Sequence, residues 1–267
     1  MEPLYLPKAF ASVTGLGAPQ RYFPIKALKR AVPLAVLIVF LLGAGLTLLY
    51  GLYVTYPAYR QHGSAMIDDY LIWPAIGALV LFFFGLIAGG SVLVNWNKGL
   101  TLYESGFAVR DRKGIHPWRW EEVAALTAAV TRRYILGIYT GTTRFYTLYG
   151  QQNTWLVLKD EYARMEDLAK AIEENTFPIL YSRAADQYNA GQTLVFGPVA
   201  VNKMEIRLGR KIYPWTEIEG VSLQRGSLKI APKGGSGHSV ASVEVASIPN
   251  VSVLLAVIDQ MVEVKTA

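Results

Sequence analysis

Ala31–Val54, AVPLAVLIVFLLGAGLTLLYGLYV, and Leu71–Val94, LIWPAIGALVLFFFGLIAGGSVLV, decide how this chain is built. Neither run holds a charged residue, and each is 24 residues long. At about 1.5 Å per residue such a helix spans ~36 Å, enough to cross a hydrocarbon core of ~30 Å. The alternative is a pair of core helices, but amphipathic helices of soluble domains keep a polar face. The two runs and the short polar link between them therefore read as a transmembrane helical hairpin, and everything after it as a body tethered to a membrane.

The flanks carry the marks of such a hairpin. Pro33 and Pro74 stand near the starts of the runs, where a missing N–H costs little. Tyr50, Tyr53, Tyr56, Tyr59, Tyr70 and Trp73 crowd the link end, and Tyr22, Phe23 and Trp96 the other, as aromatic belts do at the two interfaces. Gly43, Gly45 and the Gly85-x-x-x-Gly89 pair allow close helix approach, within the hairpin or to a second copy. Basic residues precede the first run (Lys8, Arg21, Lys26, Lys29, Arg30) and follow the second (Lys98, Arg110, Arg112, Lys113), whereas the link holds Arg60 against Asp68 and Asp69. The positive-inside bias then places both termini in the cytoplasm and the link outside, a two-pass inner-membrane topology. The first run starts too late and is too long for a cleavable signal peptide.

Composition narrows the chemistry. The net charge is +6 over 267 residues, and residues 1–30 carry +4 of it, with five basic residues against Glu2. Charge concentrated there reflects topology and anionic headgroups, not the basic face of a nucleic-acid binder. With no cysteine, disulfides, thiolate catalysis and Cys-ligated zinc are excluded, and His62, His116 and His238 are too scattered for a metal site. No cofactor is expected.

Residues 1–30, punctuated by Pro3, Pro7, Pro19 and Pro24, read as a cytoplasmic tail. From Gly99 apolar residues alternate and turn residues recur. Strands are expected at 100–103, 106–110, 115–118, 124–132, 143–149 and 154–158. An amphipathic helix follows over 160–175, capped by Asp160 and ended by Pro178, with another over 179–190. Strands resume at 192–196, 200–206, 211–215, 221–225, 227–231 and 238–244. A last helix is expected over 251–264, turning Val253, Leu254, Val257, Ile258 and Met261 toward a sheet.

The order, about six strands then a helix, occurs twice, which points to an internal repeat. Trp120-Glu121-Glu122-Val123 matches Trp215-Thr216-Glu217-Ile218, and Phe107-Ala108-Val109 matches Val199-Ala200-Val201. A basic turn precedes each Trp: Arg110, Arg112 and Lys113 in the first, Arg207, Arg210 and Lys211 in the second.

A half-open barrel of about seven strands capped by an amphipathic helix is the pleckstrin-homology (PH) architecture. The stretch Ile115–Val123 after a membrane hairpin resembles bacterial membrane proteins with PH-like domains. Phe196-Gly197, Tyr213-Pro214-Trp215-Thr216-Glu217-Ile218, Gly226-Ser227-Leu228 and Ile248-Pro249-Asn250-Val251 resemble an uncharacterised bacterial family known only as a domain of unknown function. The resemblance covers about 99–262 and implies fold, not activity. With the hairpin read above, the expected chain is membrane-anchored α+β: cytoplasmic tail 1–30, transmembrane hairpin 31–95, and tandem PH-like domains at 96–176 and 177–267. It also implies that cationic residues between early strands of each domain meet phosphorylated headgroups.

Other candidate groups read as structural. Glu121/Glu122 and Glu217/Glu219 are neighbouring carboxylates on turns or strand edges, without the shared cleft that acid–base work needs. Lys233-Gly-Gly-Ser-Gly-His238 joins two strands and is no phosphate loop, and Ser236 or Ser239 with His238 has no positioned acid. Trp118, Trp120 and Trp215 are expected to pack the cores. The function expected is a non-enzymatic binding module, engaging the bilayer, anionic lipid headgroups or a protein partner. The alternative is a structural or assembly subunit whose hairpin forms a homo-oligomer or pairs with another membrane protein. The six basic turn residues are the candidate contacts.

Overall fold

The computed structural model describes residues 6–11, 13–135, 138–151, 154–233 and 241–266. A short helix α1 (Lys8–Ala11) leads to strand β1 (Pro19–Pro24), and the two long apolar helices α2 (Ala27–His62) and α4 (Ile72–Trp96) follow, joined through α3 (Ala65–Tyr70). Both are long and apolar enough to cross a membrane. They pack on each other through small residues: Ala44 and Gly51 of α2, and Ala78 and Gly85 of α4, are buried. A side chain at Gly51 would meet the Pro74 ring at 2.6 Å. Gly43 faces Leu81 and Gly89 faces Leu37, whereas Gly45 has no neighbour within 4 Å. Most other side chains of the pair are outward-facing Leu, Ile, Val and Phe, such as Ile87 at 67% exposure. Because α2 starts at Ala27, Pro33 lies inside it rather than in its first turn. The carbonyl it leaves without a helical donor is that of Lys29, an exposed residue.

The body begins before these helices. The expected tail over 1–30 contains β1, which pairs antiparallel with β2 (Gly99–Tyr103) from Pro19↔Tyr103 to Pro24↔Gly99. The hairpin is thus inserted between two neighbouring strands of one sheet. That sheet runs β1-β2-β3-β4, with β3 Gly106–Arg110 and β4 Ile115–Arg119. Strand β2 is buried along its whole length because Leu6, Phe10, Val13 and Leu16 cover the outer face, with Phe10 and Leu16 clustered with Tyr103 and Ala108. The Tyr103 hydroxyl donates to the Phe10 carbonyl at 2.8 Å. The inner face supplies Phe23, Leu100, Leu102, Phe107 and Val109 to the core.

A 3-10 turn at Trp120–Glu122 leads to a three-stranded sheet, β5 (Val123–Ile135), β6 (Ile138–Gly150) and β7 (Trp155–Lys159), and then to α5 (Met165–Asn189). Leu168 and Ile172 of α5 close the core. The second half repeats the plan: β8 (Leu194–Phe196), β9 (Val199–Val201), β10 (Glu205–Leu208) and β11 (Lys211–Pro214), a 3-10 turn at Trp215–Glu217, then β12 (Ile218–Gln224), β13 (Ser227–Pro232), β14 (Ala241–Glu244) and α6 (Val251–Ile258). A final strand, β15 (Val264–Thr266), joins β12 in parallel. The architecture is α+β with four small sheets, and they do not close into a barrel.

Hydrogen bonds repeat as well as strands. The Trp120 and Trp215 indoles donate to Glu104 and Asn202 carbonyls, at 3.2 and 2.8 Å, in equivalent turns. Their amides donate to Ser105 and Met204, and the Glu122 and Glu217 carbonyls accept from Gln151 and Lys233. Both C-terminal helices start after a left-handed residue, Arg164 (φ 53°) or Asn250 (φ 51°). This register pairs Phe107–Val109 with Ile206–Leu208, so the sequence match to Val199–Val201 is a slip by one strand.

Four further expectations change. Pro178 lies within the continuous α5: Asn175 and Thr176 side chains donate to the Ala171 and Ile172 carbonyls in the turn the proline disturbs. Asp160 does not cap the helix but pairs with Lys26 at 2.6 Å. The strand expected over 200–206 is divided by a turn in which Asn202 Oδ1 accepts from the Met204 and Glu205 amides. The last helix ends at Ile258; Val253, Leu254, Val257 and Ile258 are buried as expected, and Met261 lies beyond it, 37% exposed.

Candidate functional site

The first basic turn, between β3 and β4, is shaped by Asp111. Its Oδ1 accepts from the Lys113 amide at 2.7 Å and the Gly114 amide at 3.1 Å, and lies 3.2 Å from His116 Nε2. Partial burial pushes the carboxyl up, but these hydrogen bonds and the imidazole outweigh it and hold it below the usual carboxylate range. With Asp111 turned into the backbone, Arg112 and Lys113 are left exposed, and Arg110 half-buried at the end of β3.

This turn lies against the end of α4. Arg110, Arg112 and Lys113 face Ser91, Val94, Asn95 and Asn97 across an open groove of about 680 Å³. The groove therefore sits where an apolar helix enters the body. The amide and hydroxyl groups of Asn95, Asn97 and Ser91 add neutral donors to three cations, and Asp111 is the carboxylate among the lining residues. Such a wall suits an anion of headgroup size. Asp111, Lys113 and His116 also line a second groove, with Trp118, Trp155 and Leu156, between the β4 and β7 edges.

The second basic cluster is placed differently. Arg207 is exposed on β10, Arg210 sits in the tight turn to β11, and Lys211 is the first residue of β11. With β1 counted, both clusters lie between the third and fourth strands of their halves, not between the first two. The structure places the two clusters on separate sheets. The tryptophans differ: Trp120 is 5% exposed within the first core, Trp118 packs partly buried against that core, and Trp215 packs partly buried against the core of the second half. The carboxylates of Glu121, Glu122, Glu217 and Glu219 are on exposed residues, and the Glu122 carboxylate accepts from the Arg119 amide. The glycine-rich run, from Gly234 on, lies outside the described residues. Among the described residues there is no cluster of three metal-ligating side chains.

Sequence reading missed the joint between the halves. Asn250 exchanges backbone hydrogen bonds with β5: its amide donates to Leu126 O at 2.8 Å, its Oδ1 accepts from Leu126 N at 2.7 Å, and its Nδ2 donates to Ala124 O at 3.1 Å. Arg183 reaches the Glu121 and Val123 carbonyls, and Ser252 bonds Glu173. The signal was the Pro249-Asn250 turn, read only as a turn.

These features define a class: a duplicated α+β body carrying an apolar two-helix hairpin, with a basic groove at their junction. The chain belongs to a family of unknown function, DUF6585, whose model matches residues 7–266. No curated protein matches it.

Proposed function

We propose that this protein is a membrane-anchored, non-enzymatic binding module that presents two PH-like domains on the cytoplasmic face of a bacterial inner membrane. In this reading α2 and α4 span the bilayer. Their outward apolar faces support it, as does the sheet: β1 and β2 are hydrogen-bonded neighbours, so the chain leaves and re-enters the body on one side. The order of four strands, three strands and a helix in each half supports the PH-like reading.

The ligand proposed is an anionic phospholipid headgroup in the groove of Arg110, Arg112 and Lys113. The observation that carries it is the position of this groove at the end of α4. At about 1 kcal/mol per basic residue near an anionic surface, three cations supply ~3 kcal/mol, roughly a hundredfold in affinity. The hairpin glycines Gly43, Gly85 and Gly89 face the partner helix of the same chain, which favours binding over a self-assembly role.

The test uses the full chain in detergent. Phosphatidylglycerol should raise its unfolding midpoint more than phosphatidylcholine does. The difference should vanish in the Arg110→Ala, Arg112→Ala, Lys113→Ala variant and shrink at high salt. Equal shifts from both lipids in the native chain would rule the groove out.

A further inference from the structure

The four-stranded sheets of the two halves differ in what lies on their outer faces. In the first half the pairings Tyr22↔Thr101 and Thr101↔Ala108 make one outward rung. In the second half Val195↔Ala200, Ala200↔Arg207 and Arg207↔Ile212 make the equivalent rung. Leu6, Phe10, Val13 and Leu16 cover the first face, and Thr101 and Ala108 are fully buried. The second face is open: Val195 is 65% exposed, Ile212 is 54% exposed, and Arg207 stands exposed between their strands.

Strand β10 puts two opposite charges on this open face. Ile206 and Leu208 are buried in the core, so Glu205 and Arg207, which alternate with them, point outward. Among the described residues, neither of the two side chains has a hydrogen-bond or ion-pair partner. Glu205 shares its rung with Pro214, and Arg207 shares the next outward rung with Ile212. The face thus offers an acid beside one apolar side chain and a base beside another.

Such a face is complementary to itself. When two copies meet face to face about a twofold axis, that axis runs either along the strands or across them. Along the strands, it sets Arg207 against the partner's Arg207, and like charges oppose. Across them, at the level of Ile206, it turns β10 antiparallel to the partner's β10. Arg207 then opposes the partner's Glu205, Glu205 opposes the partner's Arg207, and Ile212 opposes the partner's Pro214. Sheets packed with their strands aligned lie about 10 Å apart, a gap that an arginine and a glutamate reaching toward each other can close.

We propose that the outer face of the β8-β9-β10-β11 sheet is a contact between two copies of this chain, in the antiparallel register that exchanges two Arg207–Glu205 ion pairs. The first half carries its own cover over this face, and the second half takes a second copy there. The contact spans four short strands, roughly 19 by 13 Å, which makes it a weak interface. It depends neither on the Arg110 groove nor on the membrane reading.

The test is sedimentation equilibrium of the full chain in density-matched, lipid-free detergent. The native chain should show a monomer–dimer equilibrium at concentrations up to ~100 µM. Arg207→Glu and Glu205→Arg each set like charges against each other at both ion pairs, so each alone should weaken the dimer by about tenfold or more. Mixed in equal amounts, the two variants restore opposite charges at both places and should associate as the native chain does. A native chain that stays monomeric over that range overturns the proposal. So does a dimer that both reversals leave intact, which would place the contact elsewhere, as on the hairpin. Variants with native unfolding midpoints that remain monomeric when mixed overturn it too. If either reversal lowers the unfolding midpoint, Val195→Ser with Ile212→Ser replaces it, and an unweakened dimer in that variant overturns the proposal.

Discussion

Deleting everything before residue 97 should not release a folded body. It would remove β1 and the cover of its sheet. Phe23, Ile25, Phe10 and Leu16, each at 3% exposure or less, would be lost, and Leu100, Leu102, Tyr103 and Phe107 would lose their packing. At about 1.5–3 kcal/mol per buried large side chain, the four removed residues account for ~6–12 kcal/mol, an upper estimate. Two ion pairs, Lys26–Asp160 and Arg21–Asp167, go as well, but being half exposed they add little. The loss rivals the whole stability of a typical domain, about 5–15 kcal/mol. Joining Lys26 to Lys98 by a short Gly–Ser linker should restore the sheet, because Pro24 and Gly99 are already paired. Urea unfolding followed by tryptophan fluorescence reads the difference. In a Trp215→Phe background without the hairpin, the remaining Trp118, Trp120 and Trp155 all report on the first half. The linker-joined chain should unfold cooperatively, and fragment 97–267 should show no transition. Equal midpoints for the two would refute the assignment of β1.

Asn250→Ala should cost about 3–4 kcal/mol, from two side-chain hydrogen bonds to β5 at ~1 kcal/mol each and a left-handed backbone at ~1–2 kcal/mol; Asn250→Gly should recover the second part, read as urea midpoints of the linker-joined chain. In the hairpin, Gly51→Ala should lower the unfolding temperature of the full chain in detergent, by about 1–3 kcal/mol of overpacking against Pro74, whereas Gly45→Ala should change little. Asp111→Asn keeps an acceptor for the turn and removes a negative charge from the groove, so affinity for phosphatidylglycerol should rise roughly fivefold. Because the Asp111 pKa is depressed on folding, its contribution to the turn is complete above about pH 4 and is lost only as pH falls through the lower folded value; lipid binding that depends on the turn should not be lost through Asp111 between pH 5 and 8.

Local pattern revealed what local physics decides. The apolar runs, the alternation of β2 and β3, and the Trp-x-Glu turns are each contained in a few residues. Strand β1 was not legible because PQRYFP contains two prolines and its partner, Gly99–Tyr103, lies beyond the whole hairpin. Prolines are tolerated there because β1 is an edge strand, with N–H groups that no neighbour needs. Pro178 misled in the same way: α5 buries Leu168 and Ile172 before the proline in one core and Leu180 and Ala184 after it in the other, and that packing exists only once the chain has folded. Arg110, Arg112 and Lys113 were visible as a basic turn, but a turn becomes a groove only when the fold brings the end of α4 beside it.

The place of the hairpin has a mechanical consequence. A domain hung from one helix by a flexible linker can swivel, and its binding face points anywhere. Here both ends of the hairpin are strands of one sheet, tied by the Pro24↔Gly99 pairing and by the Lys26 and Lys98 ion pairs. In the second half, Gly197-Pro198 alone joins β8 to β9 at the equivalent position. Lengthening a turn costs little loop entropy, so a module with such a turn can accept a hairpin without losing its sheet. If the hairpin spans a bilayer as proposed, it fixes which edge of the module faces that bilayer, and the β3–β4 turn, which lines a groove with the end of α4, lies on that edge. Asn250, bonded to β5, then carries the orientation into the second half. In that proposed reading the body meets the membrane in one pose, which holds its free edges and the Arg207–Lys211 surface at a set angle to the bilayer.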